Sequence, residues 1–267
     1  MTLRLAAVFA HPDDDTYGLA GTLALGGENL QYTVIVATSG EAGAISDPSL
    51  ATRDDLGRVR EAEEREALRA AGAGGAEVHF LRYPDGGLKE VPRHELTERV
   101  AGILRAAGPQ VVVTFGPEGI TKHDDHVIVG AAATEAFHQA RAEVEAAGDD
   151  TDQAFQRLLY VALPSSEIDR FWESLRARGI DVGDPEGPFM PRGVPDHTIT
   201  HRVDCTGVLK QKVEALHAHR TQREEVDQIP EDLQEALLGY EWFVQVFPPV
   251  TEPPDRPASS ILEGLAR

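Results

Sequence analysis

The chain has one cysteine, Cys205, among its 267 residues, so no internal disulfide can form and an oxidising compartment gains no support. Cys205 sits in a mixed, strand-like stretch, which predicts a half-buried and unreactive thiol rather than a nucleophile. Basic residues are scarce: 25 Lys and Arg stand against 45 Asp and Glu, a formal net charge of -20. A field of that sign opposes phosphate backbones and anionic lipid, which argues against nucleic acid and membrane surfaces as partners. An anionic small molecule is not excluded, because Arg53, Arg58, Arg60 and Arg82 could build a local positive wall. No apolar run approaches the roughly 20 residues that a membrane span needs, and no charged and apolar leader precedes the first strand-like segment. These absences predict a soluble cytoplasmic protein. What is present, 41% hydrophobic residues, suffices for a large core, as one domain or a domain with a lobe.

Short apolar runs at 3–10, 32–38, 78–81 and 111–115 read as buried strands. Helical patterns at 17–25, 52–71 and 95–107 lie between them, and a fourth runs from 126 to 147, where Gly148-Asp149-Asp150 stops it. Four strand–helix alternations predict parallel β-α units with helices on both faces of the sheet. In the 52–71 helix, Glu63 interrupts an apolar stripe, and Gly72, Gly74 and Gly75 end it. Beyond residue 150 the pattern gives strands at 158–163, 199–205 and 240–247, and helices at 168–178 and 208–221. The Gly- and Pro-rich stretch 181–195, with Phe189 and Met190, is long for an idle connection and could cover a pocket. We divide the chain into one domain over 1–247 (core 1–165, pocket and C-terminal portion 166–247) and a loosely packed Pro-rich tail over 248–267.

Two polar clusters follow strands. His11-Pro12-Asp13-Asp14 succeeds the first, at the carboxyl end where open parallel sheets bind ligands, and His123-Asp124-Asp125-His126 succeeds the fourth. His11 and Asp14 can converge on one ion across a turn restrained by Pro12, with Asp13 pointing differently and left to take a proton. His123 and His126 are close enough to serve one site, and Asp125 could fix the tautomer of a neighbouring ring. Each segment also has a plain reading, as aspartates capping a helix start with histidine as a structural partner. Taken together they supply two histidines, a carboxylate and a spare carboxylate base, a set that suits hydrolysis by metal-activated water. The same donors suit iron(II) or another divalent transition metal as well as zinc. Gly116 to Gly119 lacks the Gly-Lys-Ser/Thr ending of a phosphate loop.

Ala10-His11-Pro12-Asp13-Asp14, the spacing of Arg60, Glu63, Ala67 and Gly72, the segment from Phe80 to Gly86, the set Gly119, His123, Asp125 and His126, and the late set Lys212, Ala215, His219 and Gln222 form an ordered series. By that series the chain resembles the LmbE-like, or PIG-L-like, zinc-dependent N-deacetylases, which include N-acetylglucosaminyl-phosphatidylinositol deacetylase and mycothiol-pathway deacetylase and amidase relatives. The resemblance is dense from residue 4 to about 137 and sparse thereafter. It implies an α/β fold, a Rossmann-like parallel sheet core with helices on both faces and a smaller C-terminal mixed portion. It also implies Zn2+ bound by His11, Asp14 and His126, with Asp13 as general base. His123, oriented by Asp125, would stabilise the oxyanion or protonate the leaving amine. Arg60 and Asp85 would lie near the substrate, and His219 at the pocket edge. The implied substrate is an N-acetylated amino sugar or sugar conjugate, cleaved to acetate and a free amine. The alternatives are an amidase acting on a larger sugar-amide or thiol conjugate with the same site, and a catalytically inactive, metal-containing ligand-binding protein. A homo-oligomer is compatible with the sequence, though no interface can be assigned. Asp15 stands where relatives usually have Glu, Ala20-Gly21 where a glycine pair is common, and Asp124 where proline is common.

Overall fold

Strands covered on both faces need apolar side chains on both, which is why the early strand segments do not alternate. The computed structural model describes residues 2–148, 153–184, 187, 190–252 and 254–265. Asp149 and Asp150 of the expected helix stop, Pro185, Glu186, Pro188 and Phe189 of the 181–195 stretch, and Pro253 and residues 266–267 of the tail lie outside the described residues. Strands β1 (Leu3–Phe9), β2 (Leu30–Thr38), β3 (Glu77–Tyr83), β4 (Val111–Phe115) and β5 (Arg157–Ala162) pair in parallel. To these, β6 (His201–Asp204) and β7 (Tyr240–Phe247) add antiparallel pairings, giving one sheet of order β3-β2-β1-β4-β5-β7-β6. This is the Rossmann-like α/β core with a mixed C-terminal edge.

The helices are α1 (Asp14–Gly26), α2 (Leu56–Ala70), α3 (Arg93–Ala107), α4 (Gly119–Lys122), α5 (Asp124–Ala146), α6 (Ser165–Ala177), α7 (Leu209–Ala218), α8 (Glu224–Asp227) and α9 (Glu231–Leu238). Helices α3 and α5 pack together against β1 and β4, while α1, α2 and α7 form the other layer. Leu5, Phe9, Ile35, Val112 and Phe137 lie fully buried between the layers. Successive strands run outward from β1 to β2 and β3, and the chain then crosses back to place β4 on the other side of β1. The carboxyl ends of β1 and β4 therefore flank the switch point where such sheets open a crevice. Both polar clusters leave the sheet at those two ends.

Several local expectations change. The break in the α2 stripe is filled: Glu63 is buried and accepts from the Thr221 amide at 3.1 Å and the Thr221 hydroxyl at 2.6 Å. Cys205 is fully rather than half buried, and burial pushes its thiol upward, which keeps it inert. The described part of the tail is mostly exposed up to Pro257, and its later part is docked, with Ile261 fully buried and its carbonyl accepting from Arg157. Helix α9, without a counterpart in the sequence reading, packs on α6, α7 and β7. Among the described residues no helix is long and apolar enough to cross a membrane.

Candidate metal centre

The turn after β1 is tight enough to fold Asp14 back on its own approach. The Asp14 Oδ2 accepts from the amides of Ala10 at 3.1 Å and His11 at 2.8 Å, so the carboxylate is pinned beside the His11 ring. Asp13 absorbs the bend at φ 116° and ψ -28°, in the region that side chains avoid. Strain of this kind persists where surrounding contacts over-determine it. Arg60, only 4% exposed on α2, supplies three of them. Its guanidinium donates to Asp13 Oδ2 at 2.8 Å, to the Pro12 carbonyl at 2.7 Å and to the Gly40 carbonyl at 3.0 Å.

The segment after β4 closes on this turn. His11 Nδ1 lies 3.2 Å from His126 Nε2, and Asp14 stands 3.7 Å from the first through Oδ2 and 3.4 Å from the second through Oδ1. With bonds of about 2.0–2.1 Å, the ligand atoms of a tetrahedral zinc sit about 3.3–3.4 Å apart, so the two nitrogens have the spacing of ligands to one ion, and a turn of the Asp14 carboxylate would bring one of its oxygens to both. His126 Nδ1 donates to the Gly119 carbonyl at 2.9 Å, which turns Nε2 and its lone pair toward the other two. Phe115, the last residue of β4, stacks flat on the His126 ring at 4.1 Å. His11, His123 and His126 also offer nitrogens within 4.8 Å of one another, so His123 borders the same space.

The partners behind these candidate ligands differ from the sequence reading. Asp85, expected at the substrate, places Oδ1 3.0 Å from His11 Nε2, and its Oδ2 accepts from the Ala42 amide at 2.8 Å. Asp125, expected to orient His123 through its carboxylate, instead turns it to His11 Nε2 at 3.5 Å and to the amides of Gly86 and Leu88. The amide of Asp125 is what meets His123, donating to Nδ1 at 3.1 Å. A ring accepting at Nδ1 carries its proton on Nε2. Burial, then the adjacent charges of His11 and His126, lowers the His123 pKa and favours that neutral ring.

Burial also works against a charged His11, but the carboxylates of Asp125, Asp85 and Asp14 override it and hold its pKa at about 10. Asp85 is likewise opposed by burial and held down to about 2 by His11. An ion binding at Nδ1 must displace a proton from this ring. Metal uptake at pH 7–8 is therefore expected to release about one proton per site and to strengthen as pH rises toward 10. Calorimetric enthalpies measured in buffers of different ionisation heat check this; enthalpies independent of buffer contradict it.

His219 does not reach an open edge. It is 2% exposed, with Nε2 bonded to Thr16 Oγ1 at 3.0 Å and 3.9 Å from Glu64 Oε2. Burial, with Arg60 adding to it, lowers the His219 pKa to about 3, so the ring is neutral. Glu64 and Asp15 form a buried acid pair behind Asp13, and the Tyr32 hydroxyl donates to Asp15 at 3.0 Å. Burial lifts Asp15 to about 6, and burial with the charges of Asp15 and Asp13 lifts Glu64 well above the usual range. Sequence reasoning missed Glu64; its one signal was the spacing of four from Arg60, which puts both on the same face of α2. The positive wall that Arg53, Arg58, Arg60 and Arg82 could build is not what these side chains make; Arg60 clamps Asp13. Arg58 pairs with Asp55, Arg82 with Glu61, and Arg53 donates to the Glu41 and Gly43 carbonyls.

Comparison with known proteins bears on this arrangement. The model of the PIG-L family, described as GlcNAc-PI de-N-acetylase, matches residues 6–137. A 1D-myo-inositol 2-acetamido-2-deoxy-alpha-D-glucopyranoside deacetylase of Geodermatophilus obscurus is 32% identical over 256 residues, covering 82% of this chain and 82% of that one. Among solved structures, the N,N'-diacetylchitobiose deacetylase of Pyrococcus horikoshii matches 91% of this chain and 83% of its own, with a TM-score of 0.60 at 20% identity. A 4-carboxy-2-hydroxymuconate hydratase of Pseudomonas putida matches 94% of this chain and 99% of its own, again with a TM-score of 0.60 at 20% identity. At that identity the likeness shows the fold alone, and a hydratase on the same scaffold leaves activity to be argued from the site. Through the family match and the deacetylase relative matched over 82% of each chain, this chain belongs to the PIG-L, or LmbE-like, de-N-acetylase family.

Proposed function

We propose that this protein is a metal-dependent hydrolase that removes the acetyl group from an N-acetylated amino sugar or sugar conjugate. The observation that carries the reading is the convergence of His11 Nδ1, His126 Nε2 and the Asp14 carboxylate within 3.2–3.7 Å, beside a strained Asp13. His11, Asp14 and His126 would hold a divalent ion, Zn2+ by family likeness. Such an ion supplies a water acidified to about pKa 7 and a Lewis acid for the acyl oxygen.

The chain's own residues divide the remaining work. Asp13 takes a proton from the attacking water as the carbon–oxygen bond forms, and returns it to the amide nitrogen as the carbon–nitrogen bond breaks. Products are acetate and the free amine. His123, neutral and protonated on Nε2, donates a hydrogen bond to the oxygen that gains charge. Arg60 holds Asp13 in place, while Asp85 and Asp125 hold His11. The relatives' substrate, a 2-acetamido-2-deoxyglucoside of inositol, is the first candidate to test.

Acetate release from a panel of N-acetylated sugars and sugar conjugates, with metal-free and zinc-restored protein, tests the proposal. Zinc-dependent release is expected; none across the panel, despite one bound metal per chain, would favour a ligand-binding protein. His123→Ala should lower kcat by about 10²–10³-fold while metal content stays at the parent level. A matching loss of metal would make His123 a ligand instead.

A further inference from the structure

The turn that carries His126 is built from backbone that resists forming. Gly119, Ile120 and Lys122 adopt φ of 57°, 59° and 58°, three left-handed positions in four residues. For Ile120, branched at Cβ, that conformation crowds the side chain against its own backbone, and surrounding contacts must hold it. Inside the turn, the Gly119 carbonyl accepts from His126 Nδ1 at 2.9 Å. A Cβ on Gly119 would lie 3.0 Å from His126 Cβ and 3.2 Å from the Val127 nitrogen, so only glycine lets the two segments approach this closely.

Outside the turn, the Ile120 carbonyl accepts from the backbone amide of Arg192 at 2.6 Å. Arg192 belongs to a segment far along the chain that is anchored in turn at the end of β5 and the start of α6. The Val194 amide donates to the Leu163 carbonyl at 2.8 Å, and the Ser165 amide and hydroxyl both donate to the Val194 carbonyl at 3.0 Å. Gly193 lies flush on α6, where a Cβ would meet Ser165 Cα at 2.5 Å. Hydrogen bonds linked by short stretches of backbone therefore connect Leu163, just after β5, through residues 192–194 and the strained turn to the imidazole of His126.

We infer that residues 190–194 form a strap that fixes the β4–α5 turn and, through the Gly119 carbonyl, aims His126 Nε2 at the metal, so that the strap sets the metal affinity of the site. Gly119, Gly193 and the Arg192 amide are positioning groups: they act through His126. The inference rests on the reading of His126 as a ligand and adds to it a dependence on a segment about 70 residues away in sequence.

The test compares four variants of the full chain with the parent. Arg192→Pro removes the amide donor, Gly193→Ala levers the strap off α6, Gly119→Ala presses on His126, and Arg192→Ala keeps the donor. Zinc affinity is read by chelator competition, ligand geometry by the visible spectrum of the cobalt(II) form, and integrity by the melting point of the metal-free protein. Loss of such a supporting contact is expected to weaken zinc binding by about 10–100-fold in the first three and to alter the cobalt spectrum. Arg192→Ala should stay within about twofold of the parent. Parental affinity and spectrum in folded Arg192→Pro or Gly193→Ala would overturn the strap, whatever happens to the melting point. If Arg192→Pro does not fold, Gly193→Ala decides. A parent chain that binds no metal would instead bring down the underlying metal reading.

Discussion

Asp13→Asn is expected to keep stoichiometric metal and lose about 10²–10⁴-fold in kcat, the usual worth of a positioned acid–base group. The substitution is clean for three structural reasons. Asn tolerates positive φ better than most residues, and Asp13 sits at φ 116°. Its side-chain oxygen can still accept from Arg60 Nη2, now 2.8 Å from Asp13 Oδ2. The three atoms assigned to the metal belong to other residues. What disappears is the capacity to take a proton from water and return it to nitrogen. Acetate release and metal analysis on the same preparation provide the measurement. Turnover equal to the parent would remove Asp13 from the chemistry; loss of metal would place it among the ligands.

Lys212→Met is expected to destabilise the fold by about 3–5 kcal/mol without direct effect on the site, because it leaves a buried carboxylate uncompensated. Lys212 and Glu241 are each about 1% exposed, and Lys212 Nζ lies 2.8 Å from Glu241 Oε1. Glu241 also accepts from the amides of Gly21 at 2.7 Å and Thr22 at 2.9 Å and from the Thr22 hydroxyl at 2.6 Å. One carboxylate thus joins α1, α7 and the antiparallel strand β7. At roughly 2–4 °C per kcal/mol for a chain of this size, the melting point should fall by about 10 °C. Adding Glu241→Gln removes the stranded charge and should recover part of the loss, since its one oxygen can keep the Thr22 bonds while the Gly21 amide loses its acceptor. A single-variant loss below about 1 kcal/mol, or no recovery in the pair, would contradict the account.

The elements that could be read from the sequence were those with a strong local signature. Nearly continuous apolar runs gave β1, β2 and β4 nearly to the residue, and strand–helix alternation gave the parallel core. The late antiparallel edge was legible as strands but not as pairings, since β5, β7 and β6 meet out of chain order. The two polar clusters could be located because both follow strands, and strand ends are where a parallel sheet presents ligands. Side-chain partners were harder. The sequence motifs imply Asp85 at the substrate and Asp125 on His123, whereas both carboxylates face His11. The motifs imply Arg60 near the substrate, whereas it clamps Asp13 and the Pro12 carbonyl.

By itself the amino-acid order determined the layers, the family and the two strand-end clusters that form the candidate site, because apolar periodicity and short motifs are properties of neighbouring residues. The tertiary structure alone decided which atom serves which partner. Those choices depend on left-handed backbone at Asp13 and Ile120 and on contacts made across 70 residues or more, from Asp85 to His11 and from Arg192 to Ile120. Hydrogen bonds with a reach near 3 Å select partners by the relative placement of distant segments, and that placement is fixed only when the sheet and its layers have assembled.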